Sequence, residues 1–295
     1  MNRSVQIQGI AIFVLLIIAF GVWHAALRED RKGILTVSFL DVGQGDAIFI
    51  DAPSGRQVLI DGGKGRAVLR QLSRVMPWYD RSIDVVVATH PDADHIGGLP
   101  DVLKRYRVER VFYSSVDDDG SDQRAFVDAL EEEVRGGAEK LIARRGQILV
   151  LGGGAYVEIL FPDREVPNIE TNTGSIIARL VYGETAFMLT GDSPQSIEKY
   201  LVPLDGSTTL TTSANGLKAN VLKVGHHGSK TSSSPLFVGF VSPEYAVFSR
   251  GCDNSYGHPH PEVVAIFERF EIPTLDTCKD GLITFVSDGI AVHRK

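Results

Sequence analysis

Ile83-Asp84-Val85-Val86-Val87-Ala88-Thr89-His90-Pro91-Asp92-Ala93-Asp94-His95-Ile96-Gly97-Gly98 begins as an apolar run and then places four ionisable side chains within six residues. Ile83 to Ala88 has the length and β-branched content of a strand buried on both faces. His90, Asp92, Asp94 and His95 follow where that strand stops, spaced so that side chains fan to two sides of a turn. A lone histidine on an apolar face is ordinarily a packed core residue, whereas two histidines and two aspartates in this spacing read as a metal site. Asp92 and Asp94 would repel each other at short range, and a divalent cation is the simplest compensation. Gly97-Gly98 lets the backbone pass close beneath the cluster.

The same arrangement recurs further along the chain. Ala186 to Leu189 reads as a strand that runs into Thr190-Gly191-Asp192, and Val221 to Val224 as one that runs into Gly225-His226-His227-Gly228-Ser229. Groups delivered by several strand ends can share one rigid rim, which a single surface loop cannot arrange. Around these lie strand patterns at Ile34 to Leu40, Ala47 to Asp51, Gln57 to Ile60, Val108 to Tyr113, Ile148 to Leu151, Ala155 to Phe161, Ser175 to Tyr182, Ala246 to Ser249, Ile283 to Val286 and Ile290 to His293. Helix patterns fall at Ala67 to Val75, Ile96 to Tyr106, Gln123 to Val134, Pro194 to Leu201 and Glu262 to Phe270. The run Asp117-Asp118-Asp119 reads as a solvated loop that charges a helix N-terminus, and Pro203 to Asn215 as a mobile polar surface loop. Strands and helices alternate without a linker or repeat, so residues 34–295 are expected to form one α/β domain.

The 295 residues are 43% hydrophobic and 23% charged, which excludes intrinsic disorder for the body of the chain. A formal net charge of −7 argues against a broad basic surface for nucleic acid, although a local groove or bound cations would reverse the field where it matters. The 2 cysteines, Cys252 and Cys278, have neither CxxC spacing nor a nearby histidine partner. Two unpaired buried thiols are the expectation, and a disulfide, which needs an oxidising compartment, is the alternative. Residues 1–8 read as a short tail, 9–27 as an apolar span long enough for a transmembrane anchor, and 28–33 as a linker. A signal peptide cleaved after Ala19-Phe20-Gly21 and a buried core helix are the alternatives. Arg28, Arg31 and Lys32 against Arg3 lean towards a cytoplasmic body.

His90-x-Asp92-x-Asp94-His95, Asp61-Gly62-Gly63, Thr190-Gly191-Asp192 and the late histidines resemble the metallo-β-lactamase superfamily. Leu40-Asp41-Val42-Gly43-Gln44-Gly45-Asp46-Ala47, Leu222 to Ser232 and Tyr256-Gly257-His258-Pro259-His260-Pro261 are similar, more narrowly, to the C-terminal hydrolase domain of ComEC-type competence proteins. The resemblance implies an αββα sandwich with two divalent ions, Zn2+ or Mn2+, in a cleft, and the apolar run places one N-terminal transmembrane helix before it. His90 and Asp92 would hold one ion, Asp94, His95 and His226 the other, and Asp192 would bridge them. Asp94, His227, His258 and His260 are the expected catalytic residues, the last three as phosphate contacts or general acids. Asp41, Gln44, Asp46, Asp61, Asn172 and Ser229 are expected to touch substrate or to shape loops.

Two departures from the superfamily pattern bear on the metal. Asp92 stands where the motif has a second histidine, and no histidine occurs between His95 and His226, so Asn172 or a water would complete the first position. That oxygen-rich set favours manganese or a mixed pair. The expected activity is phosphodiester hydrolysis by a hydroxide activated between two ions, with DNA as substrate in uptake or processing. The alternatives are a phosphodiesterase or esterase for a small or wall-linked group such as phosphorylcholine, and a membrane-tethered binding module without turnover. The expected location is membrane-anchored and single-pass with the body outside the cytoplasm, against cytoplasmic-facing or secreted forms. No protein partner follows from the sequence.

Overall fold

The computed structural model describes residues 3–29, 33–202 and 216–295, with side chains from residue 7 to 23 in the first of these segments. The stretch Pro203 to Asn215 lies outside the described residues, as do Arg31, Lys32 and the side chains of Arg3 and Arg28, so the charge argument for orientation rests on groups that are not seen. Helix α1 runs from Arg3 to Glu29, beginning earlier than the expected tail boundary. No helix among the described residues is long and apolar enough to cross a membrane, so the expected transmembrane span gains no support from the fold.

The body is two β-sheets packed face to face. Strands β1 (Leu35–Phe39), β2 (Ile48–Asp51), β3 (Gln57–Ile60), β4 (Ser82–Ala88), β5 (Arg107–Tyr113) and β6 (Glu139–Ile142) form one sheet, which β14 (Ile283–Ser287) and β15 (Val292–Arg294) extend beyond β1. The other sheet holds β7 (Ile148–Gly152), β8 (Ala155–Phe161), β9 (Ile177–Tyr182), β10 (Thr185–Leu189), β11 (Val221–Lys223), β12 (Tyr245–Phe248) and β13 (Thr274–Asp276), neighbouring one another in that order. Helices α2 (Ala67–Val75), α3 (Ala93–Ile96), α4 (Leu99–Arg105) and α5 (Ser121–Arg135) cover the first sheet. Helices α6 (Gln195–Leu201), α7 (Pro235–Val241) and α8 (Pro261–Arg269) cover the second, and α9 (Thr277–Asp280) follows β13.

Alternation along the strands explains the layers. Ile48 and Ile50 of β2, Val58 and Ile60 of β3, and Val157 and Ile159 of β8 meet between the sheets. Phe49 and Leu59 turn outward to Leu72, Val102 and Phe126 on the helices, while Leu160 and Leu222 turn outward to Phe237 and Phe267. A strand buried on both faces needs apolar residues at both parities, which is why these runs show no polar alternation.

The strands also set a polarity. Parallel β3, β4 and β5, and parallel β10, β11 and β12, all deliver their C-terminal ends to one edge of the sandwich. Leu40, Asp61, Thr89, Asp192, Val224 and Ser249 follow those ends or the end of β1 within a few residues. The predicted helix from Ile96 to Tyr106 is two pieces, α3 and α4, because the chain turns at Gly97-Gly98. A Cβ on Gly98 would sit 2.2 Å from the Gly62 carbonyl oxygen, so glycine permits the two loops to touch.

Cys252 and Cys278 form a disulfide, which corrects the expectation of free buried thiols. The two residues flank the paired loops after β12 and β13, where Arg250 also grips Asp276, and a parallel strand pair brings those loops together.

Candidate metal centre

The segment from His90 to His95 is held from behind by the loop after β3. Gly62 N–H donates to the His95 carbonyl at 2.7 Å, and Gly98 N–H donates to the Gly63 carbonyl at 2.8 Å. From the other side Asp46 N–H donates to the Asp94 carbonyl at 3.1 Å, and a Cβ on Gly45 would stand 1.9 Å from that same oxygen. Turn glycines noted in the sequence thus serve close approach of three loops.

Asp61, fully buried at a positive φ of 58°, accepts from Thr89 N–H at 2.8 Å and from its hydroxyl at 2.6 Å. It also lies 2.7 Å from His95 Nδ1. A carboxylate can only accept, so His95 carries its proton on Nδ1 and turns Nε2 forward. His227 repeats the device, with Nδ1 donating to the Ser249 carbonyl at 2.7 Å. Thr89 has given its own proton to Asp61, so it accepts from His90 Nδ1 at 3.0 Å, and a third Nε2 faces forward.

These forward nitrogens meet an acidic ring. His95 Nε2 and His227 Nε2 are 3.3 Å apart, Asp192 places one oxygen 3.2 Å from each, and Asp94 Oδ2 is 3.3 Å from His227 Nε2. Four donors around an ion with bonds of about 2.0–2.1 Å stand roughly 3.3–3.4 Å apart at a tetrahedral site. The separations among these donors match that spacing, so they fit a divalent ion, which would take the place of the protons that His95 and His227 carry at Nε2 without metal. Asp46, His95, Asp192 and His227 also offer ligand atoms within 4.8 Å of each other. Asp46, however, lies 3.5 Å from His227 Nδ1 and 3.9 Å from His95 Nδ1, at the backs of the rings, so Asp94 is the better fourth donor.

A second position is looser. His90 Nε2 is 3.7 Å from Asp92 Oδ2 and has no hydrogen-bond partner, and Asn172 Oδ1, on a 3-10 turn, is likewise buried and unpartnered. The adjoining Thr171 side chain bonds Asp92. Orphaned buried acceptors at the expected first position fit a cation there as well.

Burial drives the His90 pKa well below 6.5, helped by repulsion from His95, so this ring stays neutral. Burial would also lower His95 and His227, but the Asp192 charge and hydrogen bonds to other carboxylates outweigh it and hold both well above 6.5 in the metal-free protein. Burial raises Asp92, whereas Asp94 is held far below the carboxylate range because His227 and His95 outweigh its burial.

The two late histidines exchange their expected places. His226 and His227 both adopt positive φ, 47° and 53°, and this left-handed turn sends the second ring inward and the first outward. His226 keeps 25% of its side chain exposed, with Nε2 3.7 Å from Asp192 Oδ2, while His227 joins the tight donor set. His258 packs 5.6 Å from the His226 ring, and His260 lies 5.3 Å beyond it. Asn254 clamps the His258 backbone through both its N–H and its carbonyl, and His258 Nδ1 is buried without a partner. Burial and the neighbouring imidazoles push its pKa down to about 4.

Other expected residues shape loops. Asp41 accepts from Gly43 N–H at 3.3 Å, Gln44 accepts from Gly251 N–H at 3.2 Å, and Ser229 Oγ bonds Thr231 Oγ1 at 3.0 Å. Lys223 escaped the sequence reading. It is fully buried, pairs with Asp46, lies 3.3 Å from Asp192 Oδ1 and donates to the Gly191 carbonyl at 2.8 Å. Burial alone would lower its pKa, yet Asp46 and Asp192 raise it, so it stays charged. A single lysine inside the apolar strand Val221-Leu222-Lys223-Val224 was the available signal, because such a charge requires a buried partner.

Residues 40–251 match the profile of the Metallo-beta-lactamase superfamily. The chain is 32% identical over 206 residues to ComE operon protein 3 of Bacillus subtilis (strain 168), covering 70% of this chain and 25% of that protein. It is 34% identical over 205 residues to competence protein ComA of Neisseria gonorrhoeae, again covering 70% of this chain and 25% of the relative. It thus spans about a quarter of the length of these curated relatives. Igni18, a metallo hydrolase from the archaeon Ignicoccus hospitalis KIN4/I, superposes with a TM-score of 0.52 at 16% identity, over 85% of this chain and 98% of its own, a likeness of fold.

Proposed function

The chain belongs to the metallo-beta-lactamase superfamily, and from that premise we propose that it is a metal-dependent phosphodiesterase acting on nucleic acid, with two divalent ions as cofactors. The observation that carries the reading is the 3.3 Å approach of two imidazole Nε2 atoms, each ring anchored from behind through Nδ1, inside a ring of carboxylates. Five carboxylates, Asp46, Asp61, Asp92, Asp94 and Asp192, face one ammonium, Lys223, which leaves the charge that two divalent ions neutralise. Bound ions would supply a water acidic enough to attack near neutral pH and would offset charge gathered on a phosphoryl centre.

The chain's own residues prepare that chemistry. Asp61 and the Ser249 carbonyl fix the tautomers of His95 and His227, and Lys223 holds Asp192 in place. His258, neutral at physiological pH and unpartnered at Nδ1, and half-exposed His226 form a wall that can hydrogen-bond a phosphate oxygen. DNA is the proposed substrate on the strength of similarity to the two competence proteins. Protein stripped with a chelator and reloaded with manganese or zinc should cleave single-stranded or double-stranded DNA. Cleavage of a generic phosphodiester with no action on DNA would transfer the assignment to a small-molecule substrate.

We further propose that α1 anchors the body outside the cytoplasm. The support is the sequence, whose apolar run from residue 9 to 27 falls within this one helix. Ile10, Phe13, Leu16 and Trp23 stand exposed along it, apolar surface that requires a cover. The disulfide supports an oxidising compartment.

A further inference from the structure

The edge of the sandwich opposite the metal cluster carries its own pattern. The start of β1 at Leu35 pairs with Ser287 at the end of β14, Asp51 at the end of β2 pairs with Gln57 at the start of β3, and Ser82 at the start of β4 pairs with Arg107 at the start of β5. The loop from α2 to β4 and the turn from β14 to β15 therefore lie at this edge. They expose Trp78 (81%), Tyr79 and Ile290 (79%), the two aromatic rings edge to face at 5.8 Å. Arg56, Arg74, Arg81, Lys104, Arg105 and Arg107 surround them at the ends of α2 and α4 and the starts of β3, β4 and β5. None of the six forms an ion pair among the described residues, and Arg56, Arg81 and Arg107 line a cleft of about 820 Å³ with Tyr79, Asp80 and Asp84. In a chain of net charge −7 these six basic side chains outnumber the acids Asp80, Asp84 and Asp288 of the same edge.

We infer that this edge rests on an anionic lipid surface, with Trp78 and Tyr79 at headgroup depth and the arginines on lipid phosphates. The inference builds on the anchor reading of α1. Glu29 ends that helix and Gly33 opens the body, four residues apart, so the two lie within about 14 Å. The body therefore meets a membrane first with the edge at which it starts. Amphipathic aromatics and basic side chains are what a membrane interface selects. The metal cluster then faces away from the lipid, separated by the length of β4, about 20 Å for its seven residues.

The chain has two tryptophans, Trp23 in α1 and Trp78 at the edge, so each can report alone. Full-length W23F and W78F would be reconstituted in vesicles of phosphatidylcholine and phosphatidylglycerol carrying brominated acyl chains. The expected result is quenching and a blue shift of Trp78 in W23F, with quenching reduced by adding Arg81→Gln and Arg107→Gln while Trp23 in W78F is unaffected. Quenched Trp23 with Trp78 still open to aqueous iodide overturns the docking and spares the anchor. If neither is quenched, both readings fall. Protection of Trp78 by single-stranded DNA without any effect of lipid would overturn the inference in favour of a nucleic-acid surface.

Discussion

Asp94, His95, Asp192 and His227 stand 3.2 to 3.3 Å from their neighbours, each ring locked from behind, while His90 and Asp92 are 3.7 Å apart beside an unpartnered Asn172 oxygen. The tight half takes donors from three strand ends fixed by two sheets. The loose half takes two donors from one turn and a third from the 3-10 helix Asn172–Gly174 before β9. Geometry that several buried strands determine is stiff, and geometry supplied by a turn adapts to its ion. The contrast predicts a high-affinity position with imidazole character and a weaker, oxygen-rich one.

The largest effect should come from Asp192, the carboxylate expected from the sequence to bridge both halves. Asp192→Ala is expected to lower turnover by roughly a thousandfold or more and to empty both positions in elemental analysis; two ions per chain in that variant would refute the shared role. His227→Ala should approach this loss, whereas His226→Ala should keep its metal and lose less than about tenfold. Equal loss in both variants would erase the distinction drawn from their backbone turn.

Lys223→Met tests whether the ammonium belongs to the tight half. Asp46 and Asp192 would then lose the ammonium they share and keep only the two imidazolium rings, and removing one partner of a buried ion pair costs about 3–5 kcal/mol. The metal-free variant should melt well below wild type in calorimetry and recover more of that difference on metal addition. An unchanged melting temperature without metal would dismiss the role.

Proton linkage separates the halves next. His95 and His227 have folded pKa values well above 6.5 without metal, so their stabilising charge is fully present below about pH 6.5 and is lost as pH rises through those raised values. Metal must displace the same protons. Its binding should therefore strengthen with pH by up to about a hundredfold per unit, then level off. Titration against a competing chelator would show a flat response if neither ring is protonated. The smallest effect is expected in the loose half, where Asp92→His should move metal preference from manganese towards zinc by about tenfold, measured as relative affinity at fixed pH.

Much of this was legible because strand ends deliver the chemistry. Val85 to Ala88 and Ala186 to Leu189 announced buried strands, and the acids after them fell where expected. The order of His226 and His227 was hidden because two consecutive positive-φ residues leave no mark in composition. β6, with Glu139 and Lys140 on a half-exposed edge, lacks the apolar run that reveals a strand. α7 was missed because Pro235 to Val241 is short and contains Gly239, although Ser234 caps it by accepting from Phe237 N–H. Asp46 could be marked only as a loop or substrate residue, since its pairing with Lys223 joins positions far apart in the chain.

The Cys252–Cys278 bridge closes a covalent ring that contains Tyr256, His258, His260, α8 and β13. A protease that cuts once inside this ring leaves both new ends attached to the body, and the histidine wall stays beside the metal cluster. A cut between Arg250 and Cys252 leaves the ring hanging only through its C-terminal side. A nick in the ring therefore changes the chain without dispersing the site, until a reductant opens the bridge and turns that nick into a break.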